Sequence, residues 1–102
     1  MIETATSQDF NEKTAQGLSF TDFWATWCGP CRMQSPVVEQ LANEMDNVNF
    51  YKVDVDANPE IAGQLGIMSI PTMVVKKDGQ IVDTIIGYHD KASLAEVLKK
   101  HM

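Results

Sequence analysis

Trp24-Ala25-Thr26-Trp27-Cys28-Gly29-Pro30-Cys31 decides how the rest of this chain is read. The segment holds both cysteines of the sequence, separated by Gly29 and Pro30. It lies where an apolar run gives way to a helical pattern. Leu18 to Trp24 reads as a strand, with Leu18, Phe20 and Trp24 on one face and Phe23 and Ala25 on the other. Apolar residues on both faces point to a central strand of a sheet covered by helices on either side. Asp22 stands inside that run, an odd place for a charge. Beyond the cysteines, Val37, Val38, Leu41, Ala42 and Met45 keep helical spacing to about Glu44. Pro36 falls inside this pattern, and a kink rather than a break is expected there.

Working outward, Ile2 to Ala5 reads as a short first strand. Ser7 is placed to cap a helix running to Gln16, with Gly17 to end it. Val48 to Val55 reads as a strand, with Val53 and Val55 on one face and Lys52 and Asp54 on the other. Asn58 caps a short helix that has Pro59 at its first position and Gly66 at its end. An apolar run from Met73 to Val75 follows Ile70-Pro71-Thr72. Lys77-Asp78-Gly79-Gln80 is a hairpin signal, since Asp and Gly tolerate the positive φ of a type I′ turn. Ile81 to Ile86 returns as the partner strand, and Asp90 caps a last helix whose Leu94, Val97 and Leu98 form the buried stripe. The order β-α-β-α-β-α-β-β-α gives an α/β chain with parallel crossovers early and an antiparallel hairpin late. A single domain over residues 1–102 is expected, with no repeat or linker.

Composition narrows the function. A formal net charge of −6 argues against nucleic acid, whose phosphates need clustered Lys and Arg. Lys99-Lys100-His101 is the one basic cluster, and at a helix C-terminus it complements the dipole. No apolar run reaches membrane length. Met1 to Thr6 lacks the basic start and apolar stretch of a secretory signal, so an intracellular setting is expected. Where thiols stay reduced, a close cysteine pair is more often catalytic or metal-binding than a permanent staple.

Two thiols at this spacing can close a disulfide, share a metal, or do neither. A structural zinc needs four ligands. The only other Cys or His candidates are His89 and His101, twelve residues apart, which fits no finger or ribbon. A disulfide closing so small a loop stabilises by roughly 2 kcal/mol, against about 3 kcal/mol for a fifteen-residue loop. It is a poor staple. The redox reading has a mechanism. Cys28 would stand at the start of the helix, where unpaired N–H groups and the positive dipole end favour a thiolate. Cys31, one turn on and facing inward, is placed to attack a mixed disulfide formed by Cys28.

Asp22-Phe23-Trp24-Ala25-Thr26-Trp27-Cys28-Gly29-Pro30-Cys31 resembles the active-site signature of the thioredoxin family in its bacterial form. The likeness continues through Lys52-Val53-Asp54-Val55-Asp56-Ala57-Asn58-Pro59, Ile70-Pro71-Thr72, Lys77-Asp78-Gly79 and Gly87. It implies a thioredoxin fold: a mixed sheet of four to five strands with helices on both faces and a C-terminal hairpin and helix. It also implies a protein-disulfide reductase in which Cys28 is the exposed attacking thiol and Cys31 the buried resolving one. Gly29 and Pro30 shape the site. By the same resemblance Asp22 is a buried carboxylate exchanging a proton with the resolving thiol, and Lys52 is its neighbour. Pro71 is a cis-proline facing the disulfide. Trp27, Ser69, Ile70, Ile86 and Gly87 form the patch on which partners dock.

No bound cofactor or metal is implied, since electrons would come from NADPH through a flavin-containing thioredoxin reductase. The implied substrates are disulfide-bearing proteins of the kind the family serves, such as ribonucleotide reductase, methionine sulfoxide reductase and peroxiredoxins. A cytoplasmic monomer is expected. Two other readings share the fold: a binding module whose thiols are incidental, and a more oxidising oxidase or isomerase. Trp24 reads as packing, and both histidines read as solvated surface residues. Gln34, Ser35, Ser19, Thr21 and Lys76 depart from the family's apolar habit at their positions.

Overall fold

The computed structural model describes residues 2–102. Its elements run β1 (Ile2–Thr4), α1 (Phe10–Lys13), β2 (Leu18–Trp24), α2 (Gly29–Glu44), β3 (Asn49–Asp54), α3 (Pro59–Gln64), β4 (Thr72–Lys77), β5 (Gln80–Ile86) and α4 (Lys91–Lys100). The expected element order holds. The sheet has five strands in the order β1-β3-β2-β4-β5. β3 lies parallel to both β1 and β2, whereas β4 runs antiparallel to β2 and β5 antiparallel to β4. Antiparallel pairing therefore begins at β4, one strand further in than a late hairpin edge.

β2 is paired along both edges and buried on both faces. Leu18 and Phe20 join Phe50, Met73, Val75 and Ile85 under Val38 and Leu41 of α2 and Leu94 and Leu98 of α4. Phe23 joins Tyr51, Val53 and Val74 under Phe10 of α1 and Ile61 of α3. The Phe10 and Phe23 rings meet edge to face at 5.7 Å, an arrangement that suits their opposed edge and face charge. Each such fully buried side chain contributes about 1.5–3 kcal/mol relative to exposure, so the two half-cores clamp β2 from both sides.

Local chemistry sets most boundaries. Asp90 accepts a hydrogen bond from Ser93 N–H at 2.9 Å and starts α4. Asp78 (φ 50°) and Gly79 (φ 85°) make the positive-φ turn between β4 and β5. α2 continues through Pro36 to Glu44. The first helix is the main departure. α1 spans Phe10–Lys13, and Ser7 does not cap it. The Ser7 hydroxyl instead accepts from Ile61 N–H at 3.2 Å, so it serves the start of α3. Asn58, expected to cap α3 with its own side chain, accepts from Ser7 N–H and donates to the Asp54 carbonyl. The two loops pack against each other, so the Ser7 hydroxyl serves α3 while Asn58 holds the Ser7 backbone.

Candidate functional site

The strongest local reason for a site is the junction from β2 to α2. Cys28 is the N-cap residue of α2, and its Sγ accepts a hydrogen bond from Cys31 N–H at 3.1 Å. Pro30 occupies the first turn, where its missing N–H and fixed φ cost nothing. Cys28 and Cys31 are joined as a disulfide. Gly29 has open space where a side chain would begin. One expectation needs correction. Cys28 is 4% exposed and Cys31 3%, so in the disulfide state neither thiol partner is the exposed one. Cys28 is covered because it caps the helix and because the Ile70 carbonyl oxygen sits 3.7 Å from its Sγ.

Asp22 lies beneath the pair, buried, on the β2 face that packs against α2. A cavity of about 320 Å³ joins it to Cys31, and Trp24, Ala25, Ser35 and Lys52 also line that space. Asp22 Oδ1 has no hydrogen-bond partner. Burial pushes the carboxyl up from 3.8 to about 7, while the nearby Lys52 ammonium pulls the other way. Lys52 stands opposite Asp22 in the β2–β3 register and is half-buried. Asp22 is thus a buried carboxyl sharing a cavity with Cys31, and Lys52 is its charged neighbour.

The remaining residues come together around Cys28. The Ile70–Pro71 peptide bond is cis, and Pro71 is buried beside the disulfide loop. Trp27, 66% exposed, donates from its indole to Asp56 Oδ2 at 2.8 Å. Trp27, Ser69 and Ile70 line one groove of about 280 Å³ with Val55, Ile67 and Met68. Ser69 also lines an adjoining groove with Met68 and Ile86, and Ile86 is 65% exposed. Gly87 donates its N–H to the Pro71 carbonyl at 2.8 Å, with φ at 85°. A side chain there would be strained.

Several residues were not singled out by sequence as parts of this region. Met68 is 97% exposed on both grooves. Asp56 fixes the Trp27 indole, although its sequence context shows only an acidic loop. Gln34 is fully buried and pairs both its amide atoms with the His89 backbone. Its polarity at an apolar helix position was the available signal. The two histidines are half-buried rather than fully solvated: His89 Nδ1 lies 3.0 Å from the Gly87 carbonyl, and His101 Nε2 3.2 Å from Asp83 Oδ2. Trp24 is half-buried against the disulfide, and its indole N–H has no partner. Among the described residues no group of three or more His, Cys, Asp or Glu is placed to hold a metal ion. No helix among them is long and apolar enough to cross a membrane.

Comparisons with known proteins agree with this geometry. The thioredoxin family model matches residues 1–100. A thioredoxin of Listeria monocytogenes is 50% identical over 103 residues, covering 100% of both chains. A thioredoxin of Bacillus subtilis is 49% identical, covering 99% of this chain and 98% of its own. Among solved structures, a thioredoxin of Malassezia sympodialis superposes with a TM-score of 0.90 at 39% identity, covering 98% of this chain and 92% of that one.

Proposed function

The chain belongs to the thioredoxin family, adopts its fold and reduces protein disulfides by thiol–disulfide exchange, and on that premise we propose how its residues divide the work. In the reduced form Cys28 carries the attacking thiolate, held by the N-terminus of α2 and by Cys31 N–H. It attacks one sulfur of a substrate disulfide, breaking that bond, forming a mixed disulfide and releasing the first substrate thiolate. Cys31 then gives its proton to the Asp22 carboxylate and attacks Cys28 Sγ. The second substrate thiolate leaves, and the Cys28–Cys31 disulfide closes. Two electrons have passed to the substrate.

Asp22 suits the proton step because a group near 7 is divided between its two forms at neutral pH. Lys52 keeps it from rising further. Gly29 and Pro30 shape the turn that presents the sulfurs, and Pro71 faces them. Trp27, Ser69, Ile70, Ile86 and Gly87 receive the extended segment around the substrate disulfide. The observation that carries this reading is the disulfide at the helix start with an unpartnered buried carboxyl sharing its cavity.

The exchange runs on the cysteine pair and needs no bound cofactor. The partners are a reductase and disulfide-bearing proteins. Their finer identity is proposed from the family: a flavin-containing, NADPH-dependent thioredoxin reductase, with substrates such as ribonucleotide reductase, methionine sulfoxide reductase and peroxiredoxins. The chain acts as a cytoplasmic monomer, one domain over residues 1–102.

The test is insulin reduction by Cys28→Ser and Cys31→Ser variants. Cys28→Ser loses activity to background, and Cys31→Ser accumulates mixed disulfides that gel analysis reveals. Activity retained by Cys28→Ser, or no trapped species with Cys31→Ser, would reverse the role assignment.

A further inference from the structure

We propose that Gln34 is a positioning residue that sets the docking rim against the cysteine pair, and so governs recognition of protein disulfides rather than the exchange itself. This rests on the reading of Ile86 and Gly87 as part of that rim.

Gln34 stands three residues after Cys31, one turn further along α2. It is fully buried, where an apolar residue would pack without any hydrogen-bonding requirement. Its Nε2 donates to the His89 carbonyl at 2.9 Å, and its Oε1 accepts from His89 N–H at 2.8 Å, across a sequence separation of 55. Both backbone groups of one loop residue are therefore held by one side chain of the active-site helix. The loop continues the fixing. His89 Nδ1 lies 3.0 Å from the Gly87 carbonyl, and Gly87 N–H donates to the Pro71 carbonyl at 2.8 Å. The circuit closes where the Ile70 carbonyl meets Cys28 Sγ at 3.7 Å.

The circuit runs from α2 through Gln34 to the 87–89 loop, then through Pro71 and Ile70 back to Cys28. The loop carrying Gly87 follows the last residue of β5, so its backbone is not held by a strand partner at His89. Gln34 supplies the missing pair of bonds. A rim held in this way meets an extended polypeptide in one geometry, which lowers the ordering cost of docking. A small disulfide, which needs only the sulfurs, gains nothing from it.

The test compares insulin with 5,5′-dithiobis(2-nitrobenzoate), a small disulfide, using Gln34→Met, Gln34→Glu and Ile86→Asp. Gln34→Met removes both bonds at similar volume. Its KM for insulin rises roughly tenfold, as expected for the loss of one or two buried hydrogen bonds, with kcat kept. Its rate with the small disulfide stays within about twofold, and an unchanged urea-unfolding midpoint shows that the variant is folded. Gln34→Glu keeps the acceptor for His89 N–H but sets a second carboxylate oxygen against the His89 carbonyl, so its KM for insulin rises at least as far as that of Gln34→Met. If Ile86→Asp raises KM for insulin and a Gln34→Met protein active on the small disulfide does not, this inference fails and the rim reading stands. If neither moves KM, the rim reading fails and takes this inference with it. Equal losses on both substrates by a Gln34→Met protein with an unchanged unfolding midpoint also overturn it, since they would place Gln34 in the exchange chemistry.

Discussion

Asp22 and Lys76 are both buried, stand on neighbouring strands of one sheet, and make no salt bridge among the described residues. They occupy opposite faces. Asp22 pairs in register with Met73 on the α2 side, and Lys76 pairs with Ser19 on the α1 side. Asp22 Oδ1 has no partner and looks into a cavity shared with Cys31. Lys76 is closed in: its Nζ donates to Thr14 Oγ1 at 2.8 Å and sits 4.9 Å from the centroid of the Phe10 ring. Burial moves each toward its neutral form, the acid upward and the amine downward. A buried charge thus does not identify a site by itself. A buried charge with an open cavity and a nucleophile beside it does.

The comparison breaks most readily at Asp22. In the folded protein its carboxyl holds a proton up to about 7, while the unfolded chain releases it at 3.8. The folded state therefore binds the extra proton between these values, and stability falls as pH rises through that window. The displacement from 3.8 to about 7 corresponds to roughly 4 kcal/mol. Oxidised Asp22→Asn should gain up to that amount above pH 7, with the difference closing as pH drops toward 3.8, read by urea unfolding across pH. The same variant should resolve mixed disulfides about ten- to a hundredfold more slowly near neutral pH. A parallel pair of stability curves would remove the buried-proton account.

A smaller effect is expected on the other face. Lys76→Met replaces a desolvated ammonium by an apolar chain of similar length, and Thr14 keeps its bond to the Phe10 carbonyl. Stability should rise by about 1–2 kcal/mol with reductase kinetics unchanged. Because burial lowers the folded-state value, the ammonium costs stability below the unfolded value of 10.5, and the gain should shrink as pH approaches it. The double variant with Asp22→Asn should be additive within about 0.5 kcal/mol, since the sheet separates the two sites. A destabilised Lys76→Met would show that the hydrogen bond and ring contact outweigh desolvation.

Smallest is Lys52→Met. Lys52 is the charge that draws Asp22 downward, so its loss should move the pH midpoint of exchange upward. A midpoint that stays in place would show that Lys52 does not act on Asp22.

What could be read from sequence was mostly local. The limits of β2, the start of α2, the Asp78-Gly79 turn and the Asp90 cap each depend on residues a few positions apart. The cysteine pair was legible for the same reason, and Asp22 because a charge interrupted an apolar run. Ser7 misled because its hydroxyl is used 54 positions away on α3. β4 looked like one more strand after a helix, and nothing near it encodes that it runs antiparallel to β2. His89 read as surface because its partner, Gln34, lies on a distant helix. The cis bond before Pro71 came from the resemblance, since no neighbouring residue demands it.

β2 has one further consequence. It is hydrogen-bonded on both edges and packed on both faces, so its amides belong to the part of the molecule that opens only with global unfolding. Asp22 is carried on that strand and cannot meet solvent by local fraying. Protons must reach it through the cavity that Trp24, Ser35 and Lys52 line beside Cys31. Release of the proton that Asp22 takes from Cys31 is thus a matter of a fixed passage, and its rate is decoupled from the breathing of the fold.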